Sequence, residues 1–589
     1  MPIDASAAPE LPLQPIPGLE QTVANARSAL VPFLGGFALA RTSFFLRLFG
    51  LASRKPQQRL RERTSPSARN WASEGLARYY LACRHGLPFH VSWPVLLEDD
   101  PAEPSMIARA TALLAAALEI HRDLQSGAYP RDADGGQPLE MRQYSNLFST
   151  SRLPRRGCDD LVHAPPASHV AVMARGWVYK VPVERKDLAA LRTELEGVLA
   201  DAHRRPPGPT SSFGVLTAAP REEWAATRAR LLQDPANRAG VEMLESALLL
   251  LCLDEESAPE TLGDAMRLVR DGNLDNRWCD RSVQLVVFGN GRAGFSVEHS
   301  AVDGDPAARF GAALHARAAK VQVPPGVDGG AVDLTRVDWK VDEPLMAALT
   351  RAHEHAGRML HGREVLTERI PELGTASLGT RGHLGALMQI AIQLACAKTL
   401  GKLVSMVEPV QTRRFRGGRF DGFMVVTPQS KAFVEAALAR PQAPELPGLL
   451  RAAVEAHFAL LLRSKRGMGW HSHMSALASM DFPDDRVKGA LGEEKKRAPL
   501  LKIDRGMAML AKWEMNSGSV LGLPGVAAMG NVGVAPEMMA VGYIFKPDAM
   551  TVDVRADGRY QGRARALIQA AIESAQWLDR MLRPAAKAA

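Results

Sequence analysis

The clearest strand signal along the chain lies near its middle. Val283 to Phe288 is mainly apolar and β-branched, which predicts a buried strand. Asn290-Gly291 predicts a tight turn, since both residues tolerate positive φ. Gly294 to Val297 then predicts the returning strand, with Glu298-His299 at its end and Asp303-Gly304 where the chain must turn again. His169 to Val183 alternates like a second hairpin, turning at Arg175-Gly176. Glu245 to Asp254 is apolar core, Leu387 to Ala395 predicts an apolar helix, and Val541 to Tyr543 and Met550 to Val554 predict late strands.

One apolar stretch fits no simple core pattern. Ala29 to Ala40 and Phe44 to Leu51 are apolar, but Pro32, Gly35, Gly36, Arg41 and Arg47 argue against a membrane-spanning helix. Arg54, Lys55, Arg59, Arg61 and Arg63 follow directly. Such a stretch can dock through residues 29–63 on a membrane surface or a protein partner, or it can pack inside the protein.

Composition narrows the class. The 589 residues suffice for two or more domains, and 46% hydrophobic with 23% charged residues is ordinary for a globular protein. The net charge of +8 suits a phosphate-bearing donor, an acidic carrier protein or an anionic membrane, and equally a plain basic enzyme. No basic stripe is interleaved with aromatics, which argues against nucleic acid. Cys83, Cys158, Cys252, Cys279 and Cys396 are scattered and odd in number. That predicts a reducing, cytoplasmic setting, possible attachment to the periphery of a membrane aside, with no disulfide framework and no metal site. The amino-terminal residues lack the pattern of a signal peptide.

His299 is the candidate catalyst. A neutral imidazole can accept the proton of an alcohol as it attacks a thioester, then return it to the leaving thiolate. A lone histidine near a strand end is more often structural, so the surrounding residues decide. These are Asn276-Arg-Trp-Cys-Asp-Arg281 ahead of the hairpin and Glu298-His299-Ser300-Ala-Val-Asp303-Gly304 closing it.

Together with these, further segments resemble the choline/carnitine O-acyltransferase family. They are Leu13 to Thr22, Asn70-Trp71-Ala-Ser-Glu74, Gln143 to Pro154, Val215 to Trp224, Leu387 to Ala395, Gln411 to Asp421 and Asn516 to Pro524. Their order spans nearly the whole chain. The wider chloramphenicol-acetyltransferase-like fold, including condensation domains, shares only the H-x-x-x-D-G core.

The resemblance implies an α/β fold of two such domains, with mixed sheets flanked by helices and a tunnel between them. Residues 11–74 plus 346–582 would form one domain, binding acceptor and donor; residues 75–345 would form the domain bearing His299. It further implies that Asp303 orders the imidazole through a basic partner left unnamed, and that Gly304 lets the donor approach. Ser519, the third residue of the matched S-T-S motif, would donate to the tetrahedral oxyanion, with Ser517 beside the donor. No cofactor is implied beyond coenzyme A as co-substrate.

Several positions depart from the family pattern. Of two lysines that grip coenzyme A, one falls on Arg381, which can still meet a phosphate, and the other on Ser377. A third contact falls on Phe458. The three partners of the carnitine carboxylate fall on Val407, Phe420 and Ser472. A buried carboxylate without partners is costly, so carnitine is not the expected acceptor, and choline is doubtful too. The methionine that closes the acyl pocket in short-chain members falls on Ala527, which favours medium or long chains; a register slip would place Met529 there instead. The expected function is acyl transfer from an acyl-coenzyme A or acyl-carrier protein to a small hydroxyl acceptor. A condensation-type enzyme and a non-catalytic acyl-binding module are the alternatives.

Overall fold

The computed structural model describes residues 11–63, 70–100, 105–165, 167–184, 187–327, 332, 334–371, 373–376, 384–479, 503–520, 522–533 and 535–582. Fourteen strands build its two main sheets. In chain order they are β1 (Trp93–Leu97), β2 (His169–Ala174), β3 (Trp177–Pro182), β4 (Leu250–Asp254), β5 (Val283–Phe288), β6 (Ala293–Val297) and β7 (Thr335–Arg336). There follow β8 (Arg363–Pro371), β9 (Met406–Gln411), β10 (Phe420–Met424), β11 (Met515–Ser519), β12 (Val526–Met529), β13 (Met539–Phe545) and β14 (Ala549–Asp557).

The larger sheet has the order β7-β3-β2-β4-β5-β6-β1-β12, and the smaller β8-β14-β13-β11-β9-β10. Both are mixed. β4 runs parallel to β2 and β5, and β11 runs parallel to β9 and β13, while the remaining pairs are antiparallel. The two hairpins expected from the sequence form as predicted. β5 and β6 turn with Gly291 at φ 80°, and β2 and β3 turn through Arg175 and Gly176 at φ 51° and 79°. Positive φ at two successive turn residues matches the right-handed twist of the flanking strands.

β12 comes from the second half of the chain but pairs with β1, so it closes the larger sheet. The two halves are therefore joined by strand pairing as well as by side chains.

The helices that matter for the site are α1 (Leu19–Leu30), α2 (Gly36–Ala52), α3 (Arg54–Arg63), α4 (Trp71–Leu81), α5 (Met106–Ser126), α6 (Arg221–Leu231) and α7 (Gly304–Ala318). α8 (Leu384–Leu400), α9 (Leu446–Lys465), α10 (His471–Ser479), α11 (Arg505–Ala511) and α12 (Ala564–Leu582) follow. α5 and α7 cover one face of the larger sheet, where Val95, Val172, Leu251, Leu285, Phe295 and Phe310 meet in one core. α8 carries apolar residues on all sides and is correspondingly buried, sharing a core with α9, α12 and the smaller sheet. α4 starts at Asn70, whose side chain accepts from the amides of Ala72 and Ser73, which explains the Asn-Trp-x-Ser run as a helix cap. Among the described residues no helix is long and apolar enough to cross a membrane.

Candidate active site

β6 places His299. Val297 pairs with Val283 on one side and with Trp93 on the other, so the strand end is fixed from both flanks. A tight turn then carries the chain to α7, which begins at Gly304. The imidazole is nearly enclosed, with 15% of the side chain exposed. Tyr80 from α4 lies against it at 4.4 Å between ring centres, Phe420 at 5.7 Å, and the Trp93 edge at 6.0 Å. Burial pushes its pKa below the ordinary histidine value, and the Asp303 carboxylate only partly offsets this. The direction of the shift favours the neutral imidazole, the form that can accept a proton.

The basic partner of Asp303 is Arg419. Its guanidinium forks onto the carboxylate, with Nε 3.0 Å from Oδ2 and Nη2 2.6 Å from Oδ1. The same group donates to the backbone carbonyls of Ser300 at 3.0 Å and His299 at 2.7 Å. One arginine beside the smaller sheet thus clamps the turn that carries His299 in the larger one. Gln143 completes the arrangement by donating to Asp303 Oδ2 at 2.9 Å and accepting from the Asp303 amide at 2.7 Å. Burial alone would raise the Asp303 pKa, but the Arg419 charge outweighs it and holds the carboxyl below its usual range. His299 Nδ1 lies 3.5 Å from Asp303 Oδ1 without a hydrogen bond between them.

A buried ladder of charges supports the turn from behind. Arg152 donates to Glu298 at 2.9 Å and to Asp159 at 2.8 Å. Arg221 on α6 donates to Asp159 at 2.7 Å and to Asp280 at 2.7 Å, and Trp224 donates to Asp280 at 2.6 Å. Arg84 adds a third cation at 2.8 Å from Asp159, so three arginines face three carboxylates. Burial pushes the Asp280 carboxyl up to about 6, although Arg221 and Trp224 favour its charged form. The arginine of the Gln143–Pro154 segment, the Arg221 and Trp224 pair and the Asp280 of the Asn276–Arg281 segment therefore belong to one network.

A cavity of about 370 Å³ opens against His299. Asp303, Gly304, Phe420, Ser519 and Met529 share its wall with it. Ser519 ends β11 with its side chain exposed, while Gly518 leaves room for Pro409, whose Cδ would lie 3.0 Å from an added Cβ. Gly304 has a tight fit of a different kind from the one expected. A Cβ there would come within 3.0 Å of Val520 and 3.4 Å of the Met529 methyl, so the glycine accommodates the cavity's own wall.

Other candidates are not brought to the cavity. Ser517 is fully buried and donates to Gln389 at 2.8 Å. Val407 is buried within β9, whose following residues Glu408 to Gln411 line the cavity instead. Ser472 donates to Asp421 at 2.6 Å. Ala527 packs against the core beneath β12, and Met529, two residues on, takes the cavity wall. The ground for expecting an open acyl pocket is thereby removed. Arg381 and Ser377 lie outside the described residues. Phe458 is on the wall.

Arg419 and Gln143 were each inside a recognisable segment, but nothing local assigned them a role. The signal for Arg419 was its place in Arg413-Arg-Phe-Arg-Gly-Gly-Arg419, a positive charge just before a strand beside an uncharged cavity position.

The family model described as Choline/Carnitine o-acyltransferase matches residues 14–572. The chain belongs to this family and is an acyltransferase. It is 30% identical over 514 residues to choline O-acetyltransferase of Homo sapiens, covering 80% of this chain and 67% of that one. It is 26% identical over 505 residues to carnitine O-acetyltransferase of Rattus norvegicus, covering 80% and 79%. A condensation domain of the CDA synthetase aligns with a TM-score of 0.38 and 15% identity, over 88% of this chain and 98% of that one.

Proposed function

We propose that this acyltransferase moves an acyl group from a thioester, of coenzyme A or a carrier protein, to the hydroxyl of a small acceptor, with His299 as general base. The observation that carries the reading is the His299 imidazole on the wall of the cavity, its turn clamped through Asp303 by Arg419, sharing that wall with Ser519. The acceptor O–H gives its proton to Nε2 as its oxygen attacks the thioester carbonyl. Ser519 Oγ donates to the oxyanion that forms. When the C–S bond breaks, the imidazolium returns the proton to the thiolate, leaving an ester and a free thiol.

The acceptor we propose carries no carboxylate. Among the described residues, each Arg or Lys on the cavity wall already faces an acid: Arg309 with Asp305 at 3.3 Å, Arg413 with Asp132 at 2.5 Å, Arg419 with Asp303, and Lys465 with Asp134 at 3.3 Å. Phe420 presents an apolar ring where an acceptor would approach His299. The test is thiol release from acyl-coenzyme A and from an acyl-carrier protein, against a panel of alcohols that includes L-carnitine. Transfer to a neutral alcohol with L-carnitine a poor acceptor supports the reading. Saturation by sub-millimolar L-carnitine, or thiol release from neither donor with any alcohol, contradicts it.

A further inference from the structure

Helix α2 is mostly apolar, with Arg41 and Arg47 its only charged residues, yet only one of its apolar faces is buried. Thr42, Leu46 and Phe49 face inward, and Leu46 and Phe49 join a core with Leu30, Trp71, Trp470 and Met507. Gly506 on α11 fits so closely there that a Cβ would lie 2.4 Å from Thr42 Oγ1. Among the described residues the opposite face is exposed. Phe37 is 83% exposed, Phe44 56%, Leu48 36% and Leu51 54%. Their spacing of seven, four and three residues sets them in one stripe along the helix. A helix with this composition is normally buried on all sides, and an exposed apolar stripe marks an interaction surface.

The charge around the stripe identifies the partner. From Gln21 to Arg61 the chain has seven basic residues and no Asp or Glu. The whole chain has a net charge of only +8, so this short segment holds charge quite out of proportion to its length. Arg47, Arg54 and Lys55 are exposed beside the stripe, at and just beyond the end of α2. Arg41 also flanks it, half exposed, with a contact of 3.5 Å to Asp504.

We propose that α2 and the start of α3 dock the enzyme on an anionic phospholipid surface. Phe37, Phe44, Leu48 and Leu51 enter the boundary between headgroups and acyl chains, and the basic rim meets the phosphates. The rigid packing of the inner face means that docking requires no unfolding of the helix.

The test uses the full chain and large vesicles of phosphatidylcholine, with or without phosphatidylglycerol. Two variants accompany it: Phe37→Ser with Phe44→Ser, and Arg47→Glu with Arg54→Glu and Lys55→Glu. The unaltered protein should sediment with the anionic vesicles, be released by high salt and leave neutral vesicles largely unbound. Each variant should bind the anionic vesicles at least about tenfold more weakly, with an unchanged melting temperature. Equal binding to neutral and anionic vesicles, no binding to either, or full binding by both variants overturns the proposal. So does a lower melting temperature of the Phe variant, which would mean that the stripe packs within the protein. Loss of a dimer in the Phe variant, without change in vesicle binding, would assign the face to a second copy of the chain instead.

Discussion

Arg419 holds Asp303 by both carboxylate oxygens and the His299 carbonyl by the same guanidinium, at 2.6 to 3.0 Å throughout. The planar fork fits this task in a way that an ammonium cannot. The charge also acts on the imidazole, since it lowers the His299 pKa while Asp303 raises it.

Arg419→Lys and Arg419→Gln should therefore reduce turnover on the order of a hundredfold, the cost of displacing a catalytic group by about 1 Å. The pH profile separates this from general damage. In the proposed mechanism the active form is the neutral imidazole, so activity should fall as pH drops through its pKa. Removing the guanidinium leaves Asp303 to favour the imidazolium, and the acidic limb of Arg419→Gln should move to higher pH. An acidic limb that stays in place, or moves lower, contradicts the clamp.

Ser519→Ala should lower turnover by about a hundredfold or more, the usual loss of one oxyanion donor. Donor affinity should change little. Weakened donor binding with turnover intact would make Ser519 a binding residue.

The buried ladder predicts a stability effect. Arg152 is fully buried between Glu298 and Asp159. Arg152→Met leaves buried Glu298 without its arginine and removes one of three cations from Asp159, which should destabilise the fold by about 3–5 kcal/mol. Chemical unfolding of the purified variant checks this. A loss under about 1 kcal/mol would mean that water or a shifted neighbour replaces the guanidinium.

Much of this arrangement was legible in the sequence because it is local. The β5–β6 hairpin follows from an apolar, β-branched run and Asn290-Gly291, and the turn from His299 to Gly304 is contained in six consecutive residues. What sequence could not place were pairings between distant segments. Arg419 reaches Asp303 across 116 residues, and β12 leaves its own half of the chain to pair with β1. No local periodicity encodes either. Side-chain direction was a second obstacle. Val407 and Ala527 sit on strands beside the cavity, but their neighbours Glu408 and Met529 carry the wall. Val407 and Glu408 differ by one position, which turns a side chain to the other face of a sheet, whereas Ala527 is the extra residue of a bulge opposite Leu96 and Leu97.

That register has a consequence for the acyl chain. Met529, with its methyl against Gly304, should limit chain length. In a series from acetyl to palmitoyl thioester, Met529→Ala should shift the preference to longer chains, at about 0.8 kcal/mol for each additional buried methylene. Ala527→Met should alter the preference much less. Shortening of the preferred chain by Ala527→Met, with Met529→Ala silent, would return the role to Ala527.

The central claim is that His299 is the base. It is tested most directly by His299→Ala, measured as thiol release together with mass-spectrometric detection of the ester, in protein whose unfolding transition matches the unaltered enzyme. Turnover should fall by at least about a hundredfold, the low end of general-base contributions. Ordinary turnover in the folded variant would contradict the mechanism.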